Sequence, residues 1–126
     1  MANTEAKGLS RILNATHYSY RGFLAAWRNE EAFRQEVGLL IVLTPLAFFV
    51  GRSASEYALL IGTLLIVLIT ELLNSAIEAI TDRVGIERHE LSGRAKDLGS
   101  AAVFASLLLA ALVWGCVIYA RWGLSL

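Results

Sequence analysis

From Leu98 to Ala120 the sequence runs for 23 residues without a charged side chain. Wound as a helix, that run is about 35 Å long, more than the ~30 Å hydrocarbon core of a bilayer. Short of a closed barrel, only a helix survives in lipid, because it satisfies its own backbone hydrogen bonds. Tyr119, Arg121 and Trp122 end the run as interface anchors. A chain carrying such a segment is a membrane protein, and the composition agrees: 56% of its residues are hydrophobic.

Two other stretches read the same way. Tyr57 to Ile77 is 21 residues long, interrupted only by Glu71 and the Asn74-Ser75 pair. Val37 to Gly51 is uncharged for 15 residues, only ~22 Å as helix, so it must borrow the turn from Phe33 and let Arg34 snorkel. Asn29 reads as the cap that starts this helix, and Pro45 is expected to kink it. Gly85 is the natural stop for the second span. Gly62, and Gly99, Ser100, Ala101, Ala102 and Ala105, are expected to admit close helix neighbours. Upstream, Leu9, Ile12, Leu13, Tyr20, Phe23, Leu24 and Trp27 recur at helical spacing opposite Arg11, Asn14, Arg21 and Arg28, the pattern of a helix lying in the membrane interface. The expected fold is therefore an all-α membrane protein of one domain over residues 1–126. An interfacial amphipathic helix occupies about 8–28, and three transmembrane helices occupy about 31–51, 57–82 and 92–121.

The charges give the orientation. Five Lys or Arg precede the first span and four lie between the second and third, against Arg52 and Arg121 alone on the other side. That asymmetry expects the N-terminus and the second connection in the cytoplasm and the C-terminus outside, in the periplasm of an inner-membrane protein. The first 35 residues hold no apolar core for a cleaved signal peptide. Formal net charge is zero, so no global field draws the chain to nucleic acid, and the single Cys116 allows no internal disulfide.

Within the second span, Glu71, Asn74, Glu78 and Asp82 recur at offsets of 3, 7 and 11 and fall on one stripe. A carboxylate costs roughly 2.5–3.5 kcal/mol at the centre of a spanning helix and less near its end. Three acids on one stripe therefore need a polar cavity, a cation or a partner. Glu71 and Glu78 stand about 10.5 Å apart along the axis, too far to share one ion but suited to two tasks in one groove. Carboxylates suit a hard cation such as Mg²⁺, which takes one or two of them plus substrate phosphates. No phosphate-binding glycine loop, dinucleotide fingerprint, kinase catalytic motif or serine elbow is present. His17 and His89 are too few for a histidine-rich metal site. Ion pairing that fixes helix register, or a proton or ion path, would use the same residues, and spacing leaves these alternatives open.

The residues themselves say more. E-L-L-N-S-A-I-E at 71–78, D-R-V-G at 82–85 and H-E-L-S-G-R-A-K-D-L-G-S-A-A-V at 89–103 resemble the prokaryotic diacylglycerol kinases, and A-A-W-R-N-E-E-A-F-R-Q-E at 25–36 resembles their Gram-negative branch. The likeness runs from about Arg11 into the third span. Glu31, Pro45 and the turn from Arg52 to Glu56 fall outside the pattern.

That resemblance implies a homotrimer with active sites shared between protomers. It implies transfer of the γ-phosphoryl of MgATP to the sn-3 hydroxyl of 1,2-diacylglycerol, giving phosphatidate and ADP. By position it makes Glu71 the catalytic base and Glu30 and Glu78 the Mg²⁺-binding acids. Nucleotide contacts fall on Arg11, Tyr18, Glu30, Asn74, Glu78, Glu87, Arg88, His89, Lys96 and Asp97. Lipid contacts fall on Arg11, Ala15, Thr16, His17, Tyr18, Ser19, Tyr20, Leu24, Ala25, Ala26, Trp27, Ala32, Phe33, Arg34, Gln35, Glu36, Glu71 and Ser100. Asp82 receives no role beyond a charge at a helix end. The related Gram-positive branch prefers undecaprenol, which makes an undecaprenol kinase the near alternative and a small non-enzymatic ion or proton channel the distant one.

Overall fold

The computed structural model describes residues 7–85 and 89–123, and among these the backbone forms four helices and no strand. They are α1 (Leu9–Asn29), α2 (Glu31–Val50), α3 (Ala54–Val84) and α4 (Glu90–Trp122). The last three are long and apolar enough to cross a membrane. The expected all-α architecture, one amphipathic helix ahead of three apolar ones, is the one observed.

A single extended residue separates α1 from α2, and it is Glu30 rather than Asn29. Asn29 is not the cap the sequence suggests, because its side-chain amide donates back to Ala25 O at 2.9 Å and so completes α1. Arg34 Nη1 likewise reaches Trp27 O at 2.7 Å, covering a carbonyl that the end of a helix leaves open. On α1 only Ala26 is buried, while Leu9, Ile12, Leu13, Tyr20, Phe23 and Trp27 stay exposed. An apolar face left open in this way suits a helix bedded in the membrane interface.

Helix α2 runs unbroken through Pro45 to Val50. The proline withholds one N–H from the carbonyl of Ile41 without ending the helix. The turn into α3 is fixed by side chains: Ser53 Oγ accepts from Glu56 N at 3.2 Å, and Glu56 Oε1 accepts from Arg52 N at 2.8 Å. Gly51 is required there by proximity, since a Cβ would press on the Tyr57 ring at 2.7 and 2.9 Å. At the far end α3 stops at Gly85 as expected, with φ 178, an extended conformation rather than a left-handed one.

The packing of α3 on α4 dominates the molecule, and polar links mark its antiparallel register. Lys96 pairs with Asp82, Gly99 faces Asn74, Ser106 bonds Thr70 at 2.9 Å, and Trp114 Nε1 donates to Leu60 O at 3.1 Å. Near the α2–α3 turn, Ala47, Val50, Leu60 and Val117 form a buried apolar cluster flanked by Ile61, Val113 and Trp114. Arg121 closes that end by donating to Val50 O at 3.3 Å and lying over the Trp122 ring at 4.8 Å.

The small-residue face is narrower than expected. Gly99 is buried, but Ser100, Ala101, Ala102 and Ala105 are exposed, because the buried line of α4 follows Gly99, Ser106 and Val117 at helical spacing. Gly62 has no atom within 4 Å of where its Cβ would stand. Cys116 is exposed on the apolar surface of α4.

Candidate active site

The stripe on α3 grades from dry to wet. Glu71 is only 4% exposed and Asn74 8%, Glu78 is half-buried, and the Asp82 side chain is 57% exposed. Glu71 lies within reach of Glu30 and Glu36, while Asn74 is covered by α4. Gly99 makes that approach possible: a Cβ there would collide with Asn74 Oδ1. Asn74 is thus held against α4, and its Nδ2 donates to Glu78 Oε1 at 3.0 Å. This bond fixes one oxygen of Glu78 and leaves the other free.

Glu30 joins the stripe from the α1–α2 break. Its charge and that of Glu78 both act on Glu71, and Glu36 on α2 is in turn within reach of Glu71. The fold therefore gathers four acids from three segments at one end of the bundle. Glu30 makes no capping hydrogen bond with its side chain, so its carboxylate is uncommitted. Among the described residues no three His, Cys, Asp or Glu side chains form a protein-only metal site. The Glu30 carboxylate and the second oxygen of Glu78 are nevertheless of the kind that suits a hard cation carried in with phosphates.

Between α1 and α3 lies an open groove of about 570 Å³. Its walls are mainly apolar: Gly22, Phe23, Ala25, Ala26, Leu72, Ala76 and Ala79, with Ser19, Asn29, Glu30 and Ser75 as polar points. The groove thus runs along the face of α3 adjoining the acid stripe. Its size and lining suit an aliphatic molecule with a polar end directed to the acids.

Three buried polar atoms have no hydrogen-bond partner here: Glu36 Oε2, Asn74 Oδ1 and Ser75 Oγ. Buried polar atoms are normally paired, so three orphans at the same end are noteworthy.

The remaining sequence candidates divide. His89 caps α4, its Nδ1 accepting from Leu91 N at 3.1 Å. With Glu90, Gly93, Arg94 and Asp97 it lines a second, open hollow of about 680 Å³. Lys96 is not bound to Asp97 but to Asp82 Oδ1 at 2.6 Å, which gives Asp82 a job the sequence did not suggest: it ties α3 to α4 and holds the lysine. Glu87 and Arg88 lie outside the described residues.

Of the lipid candidates, Ser19, Ala25 and Ala26 line the groove. Phe33 is buried and tilts against Phe23 at 6.4 Å between centroids. Arg11, Ala15, Thr16, His17, Tyr18, Tyr20 and Trp27 are exposed along α1, where Leu24 is half-buried. Ala32, Arg34 and Gln35 are exposed at the start of α2, and Ser100 is exposed on α4, away from the groove. The sequence missed Gly22, Phe23, Asn29, Leu72, Ser75, Ala76 and Ala79 as lining. A helical wheel of α3 would have put Leu72, Ser75, Ala76 and Ala79 on one side, but nothing in the sequence said that α1 faces them.

Comparison with known proteins shows the family. Residues 17–118 match the family described as prokaryotic diacylglycerol kinase. A protein of Pseudomonas aeruginosa is 57% identical over 111 residues, 88% of this chain and 90% of the relative. One of Haemophilus influenzae is 50% identical over 112 residues, 89% of this chain and 95% of the relative. One of Escherichia coli is 46% identical over 123 residues, 98% of this chain and the whole of the relative. Each of the three is named diacylglycerol kinase.

Proposed function

The chain belongs to the prokaryotic diacylglycerol kinase family and is a lipid kinase of a bacterial membrane, and we propose that the acid cluster and the α1–α3 groove together form its active site. The substrates are ATP and diacylglycerol, the products phosphatidate and ADP. The observation that carries the site assignment is a nearly buried Glu71, within reach of Glu30 and Glu78, beside an open, mainly apolar groove between α1 and α3.

In this reading the acyl chains lie along Ala25, Ala26, Ala76 and Ala79, and the glycerol end meets Glu71. Glu71 accepts the proton of the sn-3 hydroxyl as that oxygen attacks the γ-phosphorus, and the bond to the β–γ bridging oxygen breaks to release ADP. General-base catalysis of this kind is worth 10²–10⁴ in rate. Glu30 and Glu78 would hold Mg²⁺, which when bound offsets phosphate charge and aligns the transferred group. Asn74 orients Glu78 for that task. Asp82 holds Lys96, and the polyphosphate would lie between that lysine and the hollow lined by His89 and Asp97. Glu87 and Arg88 belong to the same nucleotide-contacting segment.

The distribution of Lys and Arg supports an inner-membrane protein with a cytoplasmic N-terminus and a periplasmic C-terminus, which puts the acid cluster on the ATP side. The exposed apolar faces of α2 and α4, with Leu39, Phe48, Phe104 and Leu108 outward, fit packing into a homotrimer within lipid. Sites shared across such a trimer would draw on a neighbour's residues in addition to the acids gathered here.

The test is a paired assay in bilayers with MgATP, offering diacylglycerol and undecaprenol side by side. Diacylglycerol is the preferred acceptor in this reading. Glu71→Gln is expected to lose turnover by at least about 100-fold while nucleotide affinity is kept; unchanged turnover would remove Glu71 as the base. ATP-independent ion flux through liposomes, with no lipid phosphorylated, would support a channel instead.

A further inference from the structure

Hydroxyls inside the helices of this protein usually look after themselves. Thr16, Ser19 and Thr44 donate to carbonyls four residues back, and Thr63, Thr70, Thr81 and Ser106 to carbonyls three residues back. Ser75 does not. Its Oγ is buried and lacks any partner, in a residue that lines the α1–α3 groove. An unpaired buried hydroxyl is unfavourable. The adjoining α3 lining, Leu72, Ala76 and Ala79, offers it no polar side chain, and the groove's other polar points, Ser19, Asn29 and Glu30, belong to α1 and the α1–α2 break. Position adds a second argument. Ser75 is four residues after Glu71 and three before Glu78, so it sits one helical turn from each acid, about 5–6 Å away along the surface. In a diacylglycerol whose free hydroxyl is at Glu71, the neighbouring ester group lies a few bonds, and so a few ångströms, further on.

We propose that Ser75 is a specificity residue: its Oγ–H donates a hydrogen bond to an ester carbonyl of the lipid, so that the groove selects acylated glycerol over alcohols without that carbonyl. The inference rests on the reading of this groove as the lipid site. It assigns to one side chain the distinction between a diacylglycerol and a polyprenol, which the apolar walls cannot draw. A single such bond corresponds to about a threefold to tenfold difference in apparent affinity.

The experiment compares 1,2-dioleoylglycerol with the matching 1,2-dialkylglycerol, which has ether oxygens in place of both esters, in bilayers with MgATP. The wild-type protein is expected to favour the diester in KM by about threefold to tenfold. Ser75→Ala is expected to bring that ratio to about 1 by raising KM for the diester alone, with kcat little changed. Alanine is the better helix former and removes the orphan hydroxyl, so the variant should melt no lower than wild type. Ser75→Thr, which keeps the hydroxyl, is expected to retain the preference. KM values that rise equally for both lipids would mean a structural role, and unchanged values no role; either overturns the proposal. Failure of the wild type to phosphorylate either lipid would instead overturn the kinase reading itself, and this inference with it.

Discussion

The two halves of the α3–α4 pair are built from the same helices but finished to different degrees. Near the α2–α3 turn no buried polar side-chain atom of the described residues lacks a partner: Trp114 bonds Leu60, Thr63 bonds Leu60, Arg121 bonds Val50, and Ala47, Val50, Leu60 and Val117 close the space between them. Near the α3–α4 connection Glu71 and Asn74 are buried, yet Asn74 Oδ1, Ser75 Oγ and Glu36 Oε2 face no donor or acceptor. A half that satisfies itself is there to hold the bundle. A half that buries polar atoms without partners is shaped for something that arrives later, and strain of that sort collects at functional sites.

The largest effect should come from removing the proposed base at the unfinished end. Glu71→Gln is expected to lower kcat by 10²–10⁴ with the melting temperature held or raised, because a buried charge is lost. Turnover in bilayers and a thermal melt check both. Close behind is Gly99→Ala. Its methyl would collide with Asn74 Oδ1 and turn the amide away from Glu78. Overpacking of this kind costs about 1–3 kcal/mol, and here it should also raise the Mg²⁺ concentration needed for half-maximal rate. A magnesium titration that matches wild type would separate Asn74 from metal binding.

Trp114→Phe sharpens the comparison from the other side. It removes the bond to Leu60 O in the finished half and is expected to cost about 1 kcal/mol of stability, leaving turnover per folded molecule unchanged. A loss of kcat there would show that the halves are not separable. The smallest effect belongs to Asp82→Asn. The Asp82–Lys96 pair is about half exposed, with side chains 57% and 43% exposed, so its loss should cost little stability. A modest rise in KM for ATP is expected with it, as Lys96 loses its anchor.

How much of this was readable in the sequence depended on whether a residue's role is local. The three spans and the amphipathic α1 follow from uncharged runs and helical spacing. The acid stripe follows from offsets within α3. Caps were less legible: Asn29 has the right side chain for a helix start but spends it on Ala25 O. Contacts between helices were not legible at all. Nothing local says that Gly99 rather than Ala102 or Ala105 meets α3, that Lys96 chooses Asp82 over its neighbour Asp97, or that α1 folds back to make Ser75 a groove residue. Those depend on register, which small shifts along a smooth apolar helix would change without altering the pattern.

The division between a finished and an unfinished half is tested most directly by hydrogen–deuterium exchange in bilayer discs, with and without a non-hydrolysable MgATP analogue and dioleoylglycerol. Ligands should slow exchange at the start of α2, at the Glu71–Val84 end of α3 and at the beginning of α4. Amides around Leu60, Val113 and Val117 should stay as they were. Protection spread evenly over both halves, or none on saturation, would contradict the account.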